Sequence, residues 1–162
     1  MSMENYLKEG IINKIVETEA GRYVNFFTNS YKENLEHCKF NLANFPRWSI
    51  ISGYYAMHDI TKLFLAKKFS IKIDAKVHKT AIKVMEEITK DKEILNLLKI
   101  GFEEFKQMAS DLFEARGERQ KAQYYTGTKF MKEKYKERAL KFLNNTAEPY
   151  INKIKNLIEN ES

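Results

Sequence analysis

The chain has 162 residues, a length within the range of one domain and sufficient to bury a core. Apolar residues make up 43% and charged residues 31%, an ordinary globular balance, and no apolar run approaches the roughly 20 residues of a membrane span. Cys38 is the only cysteine, which excludes an internal disulfide, and the net charge of +6 admits nucleic acid, nucleotide or an acidic protein as partner.

The distribution of charge says more than its sum. From Gly117 to Ile158 there are ten Lys or Arg and four Glu, a surplus equal to the net charge of the whole chain. The opening residues, MSMENYLKEG, have no apolar signal core, and cytoplasmic residence is expected. A metal site would have to draw on Cys38, three histidines and carboxylates. Because His37 and Cys38 are helix neighbours pointing about 100° apart, neither a metal nor a cofactor is expected.

With 6 Gly and 2 Pro the chain has little turn punctuation, so long helices and no sheet are predicted. A first helix is predicted over Glu4–Glu17. The second carries Tyr23, Phe27, Tyr31, Leu35, Cys38, Leu42 and Phe45 at steps of four or three, one stripe of a 3.6-residue helix, and Pro46 ends it. The third, Arg47–Lys68, is apolar over a wide arc that includes Trp48, Ile51, Tyr55, Met57, Ile60, Leu63 and Phe64, and is predicted to be the central, most buried one. Gly53 lies inside it, where a glycine costs roughly 1 kcal/mol relative to alanine and marks close packing against another helix.

Phe69–Ala75 reads as a loop and Lys76–Thr89 as a fourth helix. Asp91 is placed to cap a fifth, which runs to about Arg116 with the stripe Ile94, Leu98, Phe102, Phe105, Met108 and Leu112. The short polar segment between Gly117 and Gly127 precedes a last helix, Lys129–Ile158, which Pro149 should kink or divide. The sum is a single all-α domain over residues 1–162, an up-and-down bundle of four to six helices joined by short connections.

Two stretches carry a family resemblance. SGYYAMHDITKLFLAKK, Ser52–Lys68, followed by KVHK, Lys76–Lys79, resembles the signature of the HEPN superfamily, a Tyr-Tyr-Ala-Met helix followed by a Thr-His-Lys-like helix start. ARGERQKAQYYTG, Ala115–Gly127, resembles that family's Ala-Arg segment ahead of the last long helix, and the two stretches occur in the family's order. The resemblance implies a helical bundle that is usually dimeric. It implies either a metal-independent ribonuclease built on an Arg followed after four to six residues by a His, or a non-catalytic binder of nucleotide or RNA. A third implied role is partnership with a small nucleotidyltransferase, in a toxin–antitoxin or defence-like setting.

The ribonuclease spacing is missing. No histidine stands five to seven positions after Arg22, Arg47, Arg116, Arg119 or Arg138, and the family's histidine position falls on Tyr124 or Tyr125. A tyrosine, with an ordinary pKa of about 10, is a poor general base at neutral pH. The expected function is therefore a non-catalytic binding module, with a divergent ribonuclease or a pure protein-interaction bundle as alternatives.

The expected binding surface is Arg116, Arg119, Lys121, Tyr124 and Tyr125. Arginine forks grip phosphate oxygens and tyrosine rings stack on bases. The plainer reading is a solvated helix end. Tyr54, His58 and His78 are secondary candidates. Tyr54 and His58 share a helix face, and a buried core with a hydrogen-bonded histidine is the favoured reading of them, while His78 reads by default as a surface residue near a helix start. His58 and Asp59 diverge as helix neighbours and form no dyad. The run Lys129, Lys132, Lys134, Lys136, Arg138 and Lys141, interleaved with Glu133 and Glu137, reads as a solvated face or a nucleic-acid contact.

Overall fold

A computed structural model describes the backbone of residues 2–118 and 124–160, and the side chains of residues 2–110 and 133–160. Helix α1 (Met3–Lys8) is followed by strand β1 (Ile12–Lys14), α2 (Glu17–Asn41), α3 (Pro46–Phe69), strand β2 (Ile71–Ile73), α4 (Val77–Ile88), α5 (Lys92–Glu118), α6 (Tyr124–Phe142), a π-turn (Leu143–Ala147) and α7 (Glu148–Glu159). The architecture is the expected helical bundle, with one addition. β1 and β2 pair antiparallel in a two-stranded ribbon, Ile12 opposite Ile73 and Lys14 opposite Ile71.

The ribbon corrects two sequence readings. The expected first helix stops at Lys8, and Gly10, at φ +68°, turns the chain into β1. The segment after α3 is not a plain loop. Ser70 ends that helix in the left-handed region, where its N–H bonds back to Ala66 and Leu65 carbonyls, and the chain leaves as β2. Ile12, Ile71 and Ile73 are all buried, so β-branched residues satisfy their burial on a ribbon rather than on a helix.

α2 and α3 form an antiparallel hairpin about Pro46, which occupies the first turn of α3, where its missing N–H has no helical partner to lose. α3 is the centre of the molecule. It packs against α2, α5, α6 and α7, and sixteen of its twenty-four residues are buried. The expected arc is wrong in two places. Trp48 is 50% exposed and Tyr55 37%, because residues 48 and 55 fall on a strip of α3 that its described neighbours leave partly open. Phe45, at 58%, likewise leaves the α2 stripe and turns outward at the hairpin.

Asp91 caps α5 as expected, its Oδ1 accepting from the N–H groups of Glu93 and Ile94. The last helix divides ahead of Pro149 rather than at it. The Glu148 N–H reaches back to the Leu143 carbonyl, and this widened π-turn takes up the disturbance before Pro149 enters the first turn of α7. Among the described residues no helix is long and apolar enough to cross a membrane.

Gly53 shows why the core tolerates so little change. A Cβ there would stand 2.9 Å from Phe142 Cε1 and 3.1 Å from Cys38 Sγ, so α2 and α6 both press on its bare backbone. At Gly101 a Cβ would meet Met57 Cε at 2.7 Å, the free end of an unbranched side chain. We predict that Gly53→Ala destabilises by about 1–3 kcal/mol despite its better helix propensity. Gly101→Ala should cost clearly less, since the methionine end has more ways to give. Urea denaturation of both variants checks the order.

Candidate functional site

An almost fully enclosed helix must find partners for its polar side chains, and α3 does so mainly on α2. Ser49 Oγ donates to the Cys38 carbonyl at 2.6 Å and stands 3.4 Å from Cys38 Sγ. Ser52 Oγ donates to the Trp48 carbonyl at 2.8 Å, so His37 Nδ1 must supply the proton in its own short bond to Ser52. That polarity is the reverse of a serine nucleophile activated by a histidine. The Asp59 carboxylate accepts from Ser30 Oγ at 2.6 Å and Asn34 Nδ2 at 2.9 Å, and burial raises its pKa. Asp59 thus turns to α2, away from His58, in keeping with the helix geometry.

On the opposite side Thr61 Oγ1 donates to the Met57 carbonyl at 2.7 Å, which leaves Tyr150 to donate to Thr61 at 2.6 Å.

His58 breaks this pattern. Its side chain is 2% exposed, and neither ring nitrogen has a hydrogen-bond partner among the described residues. The expectation of a hydrogen-bonded core histidine is therefore overturned. What surrounds it is aromatic. Tyr54, one turn earlier on α3, stacks over it at 6.0 Å and 20°, and the His78 ring from the first turn of α4 lies 4.8 Å away. Phe102 and Phe105 of α5 close the group, Phe105 stacked on Tyr54 at 4.7 Å and Phe102 on His78 at 5.7 Å.

The three secondary candidates, Tyr54, His58 and His78, thus come together from two successive helices, α3 and α4. His78 is no surface histidine. It is half-buried, and its Nδ1 lies 2.7 Å from the Tyr54 hydroxyl.

The protons in this cluster can be placed. Burial, with Tyr150 and Tyr55 nearby, pushes the Tyr54 pKa well up, so the phenol keeps its proton and donates to His78 Nδ1. His78 then carries its own proton on Nε2. Burial and the Lys62 charge hold its pKa below the usual histidine range. Burial, Lys62 and His78 push His58 down to about 3, so both imidazoles are neutral at pH 7. Lys62 follows His58 by four residues, and its ammonium sits 5.0 Å above the Phe27 ring. Burial lowers its pKa, against the pull of Asp59.

The Tyr54–His58 spacing was legible as one face of α3. The share of Phe102, Phe105 and Lys62 in the cluster was not. Among the described residues no group of three or more His, Cys, Asp and Glu could hold a metal ion.

The side chains of Arg116, Arg119, Lys121, Tyr124 and Tyr125 lie outside the described residues, as do those of Lys129 and Lys132. On the described part of α6, Lys134, Lys136 and Lys141 are exposed, and Lys141 pairs with Glu137 at 3.5 Å. Arg138 is different. Its guanidinium forks onto Glu104 of α5 at 2.8 and 3.0 Å and reaches Gln107 at 2.7 Å, which clamps the two helices together. The basic run is therefore not uniformly a solvated face.

Tyr54→Phe keeps the ring packing but removes the hydroxyl that donates to His78 Nδ1. A loss of about 1 kcal/mol is expected by chemical denaturation, the usual net worth of one such bond. An unchanged midpoint would show that the bond contributes nothing.

The chain matches no family model, no curated protein and no solved structure in the three comparisons made.

Proposed function

We propose that the chain is a non-catalytic HEPN-type binding module that engages an anionic partner through the segment Arg116–Tyr125. The partner is RNA or a nucleotide, or the acidic face of a companion nucleotidyltransferase. The observation that carries this reading is the concentration of the whole cationic surplus in residues 117–158, beginning where α5 gives way to α6. Three cations among six residues, Arg116, Arg119 and Lys121, focus positive potential beside two tyrosines. The order of the Tyr-Tyr-Ala-Met and Ala-Arg stretches supports the family side of the reading.

A ribonuclease of the family type is disfavoured by the missing Arg-x4-6-His spacing. The histidines are also committed elsewhere: His37 to Ser52, His78 to Tyr54, and His58 to its enclosure of rings. Homodimerisation belongs to the same proposal. It draws support from Phe40, Phe45 and Trp48, large apolar side chains left 83, 58 and 50% exposed where α2 ends and α3 begins.

The test is a titration of an RNA oligonucleotide and of nucleoside triphosphates at several salt concentrations, with wild type and Arg116→Ala/Arg119→Ala. Affinity should fall as salt rises, and the double variant should bind more weakly with a salt slope shallower by roughly one to two. Equal binding by a folded double variant would place the working surface elsewhere. The pure protein should not cleave single-stranded RNA, and light scattering at tens of micromolar (about where weak dimers form) should report a dimer. Cleavage lost in Arg119→Ala would restore the ribonuclease alternative.

A further inference from the structure

We infer that α4 is an acid-released latch: the seating of His78 against His58 and Tyr54 holds its first turn on the aromatic face of α3 and α5, and charging the two imidazoles frees it. The geometry supplies the device. His58 is enclosed with both nitrogens unpartnered, so a proton gained there would be a buried charge with no acceptor. The nearest titratable ring is His78, 4.8 Å away on α4. A second proton would set two like charges side by side, next to the Lys62 ammonium.

The groups facing His58 offer no relief. α3 presents Tyr54, a donor already committed to His78, and the cation Lys62. Asp59 on the same helix is held by Ser30 and Asn34 of α2. α4 presents His78 itself. α5 presents the Phe102 and Phe105 rings, and α7 contributes Tyr150, near Tyr54 and bonded to Thr61.

α4 is suited to letting go. It starts from Lys76 in the left-handed region, with no side chain capping its first turn. A protonated His78 there would also oppose the positive end of the helix dipole. Beyond that turn, α4 is held by the buried face of Thr80, Ala81, Val84 and Met85, by the Lys99–Glu86 ion pair to α5 at 2.8 Å and by the Met3 N–H donating to Glu87 at 3.3 Å. Release would uncover Tyr54, Phe102 and Phe105 and leave the α2–α3 hairpin in place.

The sign follows from linkage. His58 is held near 3 in the closed form and returns to an ordinary value of about 6.5 once exposed to water. The closed form is therefore fully favoured above pH 6.5 and loses ground as pH falls from there toward 3. The loss is about tenfold per pH unit for each histidine kept neutral in the closed form.

The experiment is hydrogen exchange of the full chain from pH 7 to pH 5, expressed as protection relative to the unstructured rate at each pH. Protection of the α4 amides from Thr80 to Met85 should fall roughly tenfold or more, while α2 and α3 keep theirs. In His58→Leu the fall should shrink to what His78 alone supplies, and in His58→Leu/His78→Gln it should vanish. His58→Gln, neutral and polar, repeats the test if leucine disturbs folding. The latch is overturned if α4 stays protected at pH 5, if the fall is as large in the variants, or if α2 and α3 loosen in step with α4.

Discussion

Helix α3 is enclosed along most of its length, and the rest of the molecule is arranged around that fact. A helix buried on nearly all sides cannot leave its polar groups to water, so each must find a partner on a neighbour. Ser49, Ser52 and Asp59 find theirs on α2 and Thr61 on α7, and these bonds set the register of the helices against one another. The apolar contacts add tightness without direction. Gly53 is the place where that tightness leaves no room for a side chain.

Against that background His58 stands out. A buried imidazole with two unpartnered nitrogens costs stability that a leucine at the same place would not. The core could be more stable without it, which makes the cluster of Tyr54, His58 and His78 the part of the fold least explained by packing alone. Its chemistry is that of neutral rings kept neutral by burial and by Lys62. Such a group stays silent at neutral pH and responds only when protons become abundant.

The two proposals concern different parts of the chain and rest on different physics. The Arg116–Tyr125 segment rests on concentrated charge, which works at long range and is screened by salt. The histidine cluster rests on desolvation, which salt barely touches. An anionic partner at the first and acid at the second would therefore be separable by experiment, one through ionic strength and the other through pH.

The sequence alone determined the helical class, the hairpin about Pro46, the central place of α3, the Asp91 cap and the close approach at Gly53. Each of these was signalled by a local pattern: a 3.6-residue apolar period, a missing N–H, a glycine inside a helix, a side chain within reach of its own helix start. The β1–β2 ribbon was not legible because three-residue strands are too short for a period, and Ile12 and Ile73 are joined by a pairing across some sixty residues. The outward turn of Trp48 and Tyr55 depends on which neighbours cover α3, which no single-helix pattern records. The same holds for the histidines. Tyr54 and His58 could be placed on one face from their spacing, but only the docking of α4 and α5 brought His78, Phe102 and Phe105 onto that face. Tertiary packing alone decided that His58 would be sealed without a partner, because solvation depends on everything around a group, and its neighbours in sequence are a small part of that.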